Sequence, residues 1–286
     1  MNKRLFVINP VSGGLNKDRA IELIKSKYDE NQFRIFQTTG KNDEENIQKI
    51  LEQDKFDTII AGGGDGTITL VSGVIDNQDI SLGILPMGSA NGLARELGIP
   101  EDIEGALATI EGGHSHPFDT ITINEKWRVL HMADFGMNAT LVKRYHHDDH
   151  RGFFGYALSA LKEFSNLLIE NEFELSIDNE KHQINSSFVV IANAQRYGTG
   201  IIINPGGKTD DGKFEICCLE KISFENYLEK FRNEEEFEFN PFQTFSVQNA
   251  HIHLKKKTDF QIDGEYIGEV KDLYIQAQPG TLKIIY

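Results

Sequence analysis

Apolar and polar residues alternate with two different periods along this chain, and the change of period divides it. Arg4 to Asn9 (RLFVIN) is a short apolar run, the length of a strand buried on both faces, and Ala20, Ile21, Leu23 and Ile24 then recur at helical spacing. A strand, a loop and a helix follow one another. The unit repeats, with Phe33 to Gln37 as a strand, Thr38-Thr39-Gly40 as a loop, Ile47, Ile50 and Leu51 as the inner face of a helix, and Phe56 to Ile60 as a third strand. Beyond it come the glycine-rich stretch Ala61 to Thr67, a helix-like segment from Ile68 to Ile75 and a further strand before Pro86. Such alternation, which runs through Leu97, predicts a parallel sheet with right-handed crossovers and ligands outside the carboxyl ends of its strands.

After Pro100 and a short helix from Ile103 to Ile110 the pattern changes. Phe118 to Ile123 and Trp127 to Met132 alternate around Asn124-Glu125 as hairpin strands do. Short strand-like segments follow at Glu172 to Ile177, Ser187 to Ala192, Lys213 to Leu219, Gln243 to Val247, His251 to Leu254, Asp259 to Ile262 and Thr281 to Ile285. One helical stretch interrupts them, Phe153 to Leu168, whose broad apolar face reads mostly as core, with one edge a candidate slot for an apolar ligand. The boundary falls near Gly112-Gly113. The predicted fold class is therefore α/β: residues 1–113 as a Rossmann-like three-layer domain with a parallel sheet, and residues 114–286 as a β-rich, β-sandwich-like domain. No internal repeat is visible.

Composition narrows the function. With 286 residues, 39% hydrophobic and 26% charged, the chain has the makeup of a globular protein able to bury a core. A net charge of -15 argues against a nucleic-acid groove and against general adhesion to anionic bilayers, so any membrane contact is local. The two cysteines, Cys217 and Cys218, are adjacent on a strand-like run and point to opposite faces, which suits unpaired thiols in a reducing compartment. The apolar part of MNKRLFVINP is too short for a signal peptide, and no apolar run is long enough to span a membrane, so a cytoplasmic location is expected.

Chemistry enters at the glycines. In Ala61-Gly62-Gly63-Gly64-Asp65-Gly66-Thr67 a strand ends and a helix begins, so the backbone can approach a bulky anion and the first helical N–H groups point at phosphate oxygens. Asp65 alone would repel phosphate. Its presence predicts Mg²⁺, held directly or through water, and hence a Mg-nucleotide site. A plain tight turn is the other reading of the glycines. Two companion loops, Asn9-Pro10-Val11-Ser12-Gly13-Gly14 and Pro86-Met87-Gly88-Ser89-Ala90-Asn91-Gly92, follow other strands and would gather at the same sheet edge.

The set NPVSGG, GGGDGT, LPMGSANGLARELGIP and QIDGE, in that order from Asn9 to Glu265, resembles the diacylglycerol kinase catalytic family, which includes bacterial lipid kinases, sphingosine kinases and ceramide kinases. The resemblance implies a lipid kinase of phospholipid metabolism, a phosphotransferase with an alcohol group as acceptor, using ATP and Mg²⁺. It implies nucleotide contacts from Asn9, Pro10, Val11, Ser12, Gly13, Thr38, Gly63, Gly64, Asp65, Gly66, Thr67 and Ser89; Thr38 read alone is equally a helix cap and Ser89 a turn residue. In that family the Asp-Gly-Glu pair returns from the second domain to face the GGDGT loop, which makes Glu265 the proton acceptor and Asp263 a group orienting the metal or its waters. Read alone, Asp263-Gly264 is a hairpin turn. Asp210-Asp211-Gly212 matches a block that binds a structural Mg²⁺, pointing to Asp211 with the main-chain carbonyls of Lys208 and Lys213; the two lysines could instead satisfy the carboxylate. Arg151, with Arg144 as companion, resembles an arginine that reaches the triphosphate. The implied partner is a lipid met transiently at a membrane surface, and the resemblance leaves room for a homodimer.

One departure matters. Bacterial diacylglycerol kinases carry Asn-Asp-Phe where this chain has Asn91-Gly92-Leu93, and the small residue leans toward the sphingosine-kinase-like branch. Asp65, Asp263 and Glu265 are retained, which favours activity over the alternative of a nucleotide sensor without turnover. An NAD or small-alcohol kinase is the other enzymatic reading, and it would not be expected to carry LPMGSANGLA. Three further signals carry less. Gly207-Lys208-Thr209 lacks the first P-loop glycine, whose place is taken by Ile202. His146 to His150 reads as a solvated loop rather than a Zn²⁺ site, and Glu234 to Glu238 as an acidic turn.

Overall fold

The structure, a computed structural model, describes residues 3–13, 17–76, 78–136, 139, 171–197, 201–219 and 242–286. Arg144, Arg151, the expected helix Phe153 to Leu168, the His146 to His150 cluster and Glu234 to Glu238 lie outside the described residues. The chain forms two compact units, Met1–Phe118 with Gly280–Tyr286, and Asp119–Pro279.

In the first unit, β1 (Arg4–Ile8) pairs in parallel with β2 (Phe33–Gln37) and β3 (Thr58–Gly63), and β3 pairs in parallel with β4 (Ser81–Pro86). The chain's last residues complete this sheet: Lys283 and Ile284 lie parallel to Ser81 and Leu82. Leu5 to Ile8, Ile59 and Ile60 are fully buried, as strands covered on both faces must be. The helices supply the cover through Ala20 and Ile24 of α1 (Lys17–Lys27), Ile47 of α2 (Asp43–Gln53), Val71 of α3 (Asp65–Val74) and Leu107 of α5 (Ile103–Gly112). Each large apolar side chain so buried contributes roughly 1.5–3 kcal/mol.

Polar residues set the helix starts. Asp102 caps α5 by accepting the Gly105 N–H at 2.7 Å. Asp43 opens α2 and accepts the N–H groups of Thr39 and Gly40 at 2.9 and 2.7 Å, with Glu44 and Glu45 beside it at the positive end of the helix. The helix after the glycines begins at Asp65, three residues before the apolar spacing places it, because Thr67 and Ile68 both donate N–H to the Gly64 carbonyl. Apolar period cannot register a first turn built of Asp, Gly and Thr.

The second unit is antiparallel in its described pairings. β7 (Met132–Gly136) pairs with β10 (Phe188–Ala192), β10 with β13 (Phe214–Leu219) and β13 with β14 (Phe242–Val247). β15 (Asn249–Ile262) pairs with β7, with β8 (Asn171–Ile177) and with β16 (Glu265–Ile285), while β9 (Glu180–Ser186) extends β8. β5 (Ser115–Ile123) and β6 (Trp127–Val129) form the expected hairpin, and β11 (Arg196–Tyr197) and β12 (Ile201–Ile202) form a small one. Its core holds Phe135, Phe173, Phe214, Ile252, Phe260 and Leu273, all fully buried. The predicted class, a parallel α/β region followed by a β-rich one, is the observed class.

The differences are local. The segment read as one strand, Trp127 to Met132, ends at Val129 and restarts as β7 at Met132. His251 to Leu254 and Asp259 to Ile262 belong to one strand, β15, whose register shifts between His253 and Thr258. β9 shows no apolar alternation in EKHQINS and was not expected, since its side chains are mostly exposed.

Candidate active site

Three loops follow β1, β3 and β4, and backbone contact holds them together. At Gly13, with φ +50°, an added Cβ would lie 2.5 Å from the Met87 carbonyl oxygen, and at Gly88 it would lie 2.3 Å from Gly64 Cα. The Ser12 hydroxyl and the Lys17 ammonium both donate to the Met87 carbonyl, at 3.2 and 2.9 Å. The first loop is turned by Asn9, whose Oδ1 accepts the Val11 N–H at 3.1 Å. Asn91, in the left-handed region at φ 50°, turns the third by accepting the Gly88 N–H at 2.8 Å. Pro10, Val11, Gly66 and Ser89 are exposed, Ser12, Gly13, Thr38, Gly64 and Asp65 half-buried, and Gly63 and Thr67 buried. Thr38 joins the group through its N–H, donated to the Ile8 carbonyl at 2.9 Å, next to Asn9.

Asp65 reaches the third loop. Its Oδ2 accepts the Gly92 N–H at 3.0 Å and its Oδ1 the Leu93 N–H at 3.1 Å, the first amides of the short helix α4 (Gly92–Glu96). Gly92 thus meets Asp65 through its backbone. Lys17 escapes a motif reading, yet it shares the buried stripe of α1 with Ala20 and Ile24, which was the available signal. Burial holds the Lys17 ammonium below the ordinary lysine value.

In the second unit, Asp263 and Gly264 have φ 47° and 88° and join β15 to β16, with Ile262 opposite Glu265. This is a two-residue hairpin turn with positive φ at both positions. The hairpin reading and the functional one therefore fall on the same residues. The Asp263 carboxylate accepts three backbone N–H groups, from Leu130 at 2.9 Å, His131 at 2.9 Å and Met132 at 3.0 Å, and so fixes the bend between β6 and β7 that the periodicity missed. Burial pushes its carboxyl above the usual range, against the pull of those amides and of the His131 imidazole. Glu265, the next residue after the turn, is exposed.

The Asp210-Asp211-Gly212 loop is anchored by Asp119, a buried residue absent from any motif. Asp119 N–H donates to the Thr209 carbonyl at 2.7 Å, and its Oδ2 accepts the Gly212 N–H at 2.6 Å. Asp211 is exposed and its Oδ1 accepts the Lys213 N–H at 3.1 Å; Lys208 and Lys213 are exposed. Neither cysteine joins a site. Both are buried and free, and burial pushes the Cys217 thiol up to about 12. Among the described residues no helix is long and apolar enough to cross a membrane.

Comparison with known proteins fits this arrangement. The diacylglycerol kinase catalytic domain profile matches residues 3–123, and that of the YegS C-terminal NAD kinase beta sandwich-like domain matches residues 132–286. An uncharacterized protein of Synechocystis is 31% identical over 98% of this chain and 69% of its own length. A Bacillus subtilis diacylglycerol kinase is 26% identical over 94% of this chain and 91% of its own. A probable lipid kinase YegS of Salmonella arizonae is 26% identical, covering 88% and 85%. The crystal structure of a putative diacylglycerol kinase from Bacillus anthracis superposes with a TM-score of 0.84 at 22% identity, over 100% of this chain and 97% of that one. An NAD kinase from Archaeoglobus fulgidus, in complex with ATP, superposes with a TM-score of 0.54 at 13% identity, over 99% and 93%. The class is that of phosphotransferases with an α/β unit followed by a β-sandwich-like one. Within it, this chain belongs to the diacylglycerol kinase catalytic family.

Proposed function

We propose that this protein is an ATP- and Mg²⁺-dependent lipid kinase that moves the γ-phosphoryl group of ATP to a hydroxyl of a membrane-derived lipid, diacylglycerol or a sphingoid base. The observation that carries the reading is the gathering of the three glycine loops around Asp65, in a chain of this family that also keeps its Asp-Gly-Glu turn. The loops line the nucleotide through Asn9 to Gly13, Thr38, Gly63 to Thr67 and Ser89, with exposed Val11 offering apolar cover to the base or ribose. Arg151 contributes a guanidinium to the phosphates.

Asp65 fits Mg²⁺. Each of its oxygens takes one N–H and keeps a lone pair, and Mg²⁺ is ordinarily held by one or two carboxylates, waters and substrate phosphates rather than by a protein cage. When bound, the ion neutralises phosphate charge. Asp211, with the Lys208 and Lys213 carbonyls on the loop that Asp119 anchors, would hold a second, structural Mg²⁺.

Glu265 accepts the proton of the lipid hydroxyl as its oxygen bonds to the γ-phosphorus, the bond to the β–γ bridging oxygen breaks, and ADP leaves. Asp263 holds the turn in place, and the one acceptor site its three amides leave free would orient the metal or its waters. The protein works at a membrane surface without crossing it.

The test is purified protein with γ-labelled ATP, Mg²⁺ and a panel of diacylglycerol, sphingoid bases, phosphatidylglycerol and NAD, the lipids in mixed micelles. Label in a lipid is the expected result. Label in NAD alone would replace this reading with the NAD kinase one, and label in nothing would favour a sensor.

A further inference from the structure

The turn that precedes Glu265 stands on polar groups embedded in an apolar sheet. Asp134 lies in the middle of β7 and is fully buried, as are its neighbours Ala133 and Phe135. Its Oδ2 accepts from two donors, the Tyr197 hydroxyl and Nε2 of Gln261. Gln261 is 2% exposed, and its Nε2 also lies 3.3 Å from the Tyr197 oxygen. The other end of the same amide, Oε1, accepts the Gly264 N–H at 2.7 Å.

An ionised carboxylate only accepts hydrogen bonds, whereas a side-chain amide has one donating and one accepting end. Asp134 therefore dictates how Gln261 is oriented. With Nε2 on the carboxylate, Oε1 must face the turn, where the Gly264 N–H meets it. A polar side chain is costly to bury among apolar residues unless its hydrogen bonds are made, and those of Asp134 Oδ2 are made to Tyr197 and Gln261. The turn is thereby gripped twice, at the Asp263 side chain by the bend at Leu130 to Met132 and at the Gly264 backbone by Gln261.

We propose that Asp134, Tyr197 and Gln261 form a buried hydrogen-bonded relay that sets the Asp263-Gly264 turn and so positions Glu265 to take the proton of the acceptor hydroxyl. All three are positioning residues, acting on the reacting atoms only through the turn. The last step rests on the kinase reading; the relay itself does not.

Three measurements on the full chain test it: amide exchange at Gly264, turnover with the lipid acceptor, and affinity for MgATP. Gln261→Leu removes the acceptor for the Gly264 N–H and should speed its exchange about tenfold, the loss of about one hydrogen bond. Turnover should fall roughly 10- to 100-fold through misplacement of Glu265, with MgATP affinity within about twofold of wild type. Asp134→Asn keeps an acceptor for Gln261 and should recover part of both losses relative to Asp134→Leu; should the leucine variant not fold, the asparagine and Gln261 variants still decide. Unchanged Gly264 exchange in Gln261→Leu and Asp134→Asn overturns the relay. Faster exchange with wild-type turnover and pH profile overturns the positioning of Glu265. A wild type that phosphorylates no lipid removes the kinase reading and the last step with it, while the exchange rates still decide the relay.

Discussion

The two units build their candidate sites by opposite means. In the first, backbone packs on backbone: Gly13 against Met87 and Gly88 against Gly64, at distances that leave no room for a Cβ. In the second, side chains grip backbone: Asp263 holds three amides and Gln261 a fourth, and Gln261 is itself buried and bonded to Asp134. A site that must wrap an anion is best made of N–H groups and empty space. One that must present a single carboxylate is best made of a stiff turn with its reactive residue at the end.

Within the first unit the largest expected effect falls on Asp65, which joins loop architecture to charge. Asp65→Asn puts an amide NH₂ against the N–H of Gly92 or Leu93 and removes a carboxylate from the proposed phosphate site. Turnover should fall by about 10²–10³, as loss of a preorganised electrostatic group does, measured in the lipid assay with fold checked by circular dichroism. A variant with near-normal turnover would show that the glycine loops work without their acid.

Gly88→Ala tests backbone packing directly. Its methyl would meet Gly64 Cα at 2.3 Å and Asn91 Oδ1 at 2.8 Å, and the nearer of the two is backbone, which has no rotamer to change. A cost of roughly 1–3 kcal/mol in denaturant unfolding is expected, with weakened MgATP binding. Unchanged stability would mean the loops can separate freely.

A smaller effect concerns the second unit's outer face, where His253 and His251 bond to Asp272 at 2.7 and 3.2 Å. The His253 hydrogen bond foremost holds the Asp272 carboxyl below its ordinary value. A depressed carboxyl stabilises the fold above its unfolded pKa and loses that contribution as pH falls through its folded one. Asp272→Asn should therefore narrow the stability difference between neutral and acidic pH slightly, an effect shrinking with added salt because the group is exposed. A shift at neutral pH that survives high salt would point to packing instead.

The contrast also explains what the sequence discloses. Glycine loops are legible because Gly, Asn and Pro have few other uses in such density, so Asn9 to Gly13, Gly63 to Thr67 and Gly88 to Asn91 stand out along the chain and meet in space. The parallel strands of the first unit are legible as unbroken apolar runs. The network behind the turn is not, since Asp134, Tyr197 and Gln261 are scattered over three strands and join only through β7, β11 and β15. Its trace is one charged residue inside the apolar run Met132–Gly136. Lys17 and Asp119 were hidden likewise, their partners being main-chain atoms far along the sequence.

Separability of the two sites is the central claim, and Glu265→Gln measures it most directly. Glu265 is exposed at the end of its turn, so the change leaves the loops and the core untouched. The account predicts unchanged MgATP affinity and melting temperature with turnover lowered by about 10²–10⁴, the reach of general-base catalysis. Near-normal turnover, or a loss explained by weaker MgATP binding alone, would contradict it.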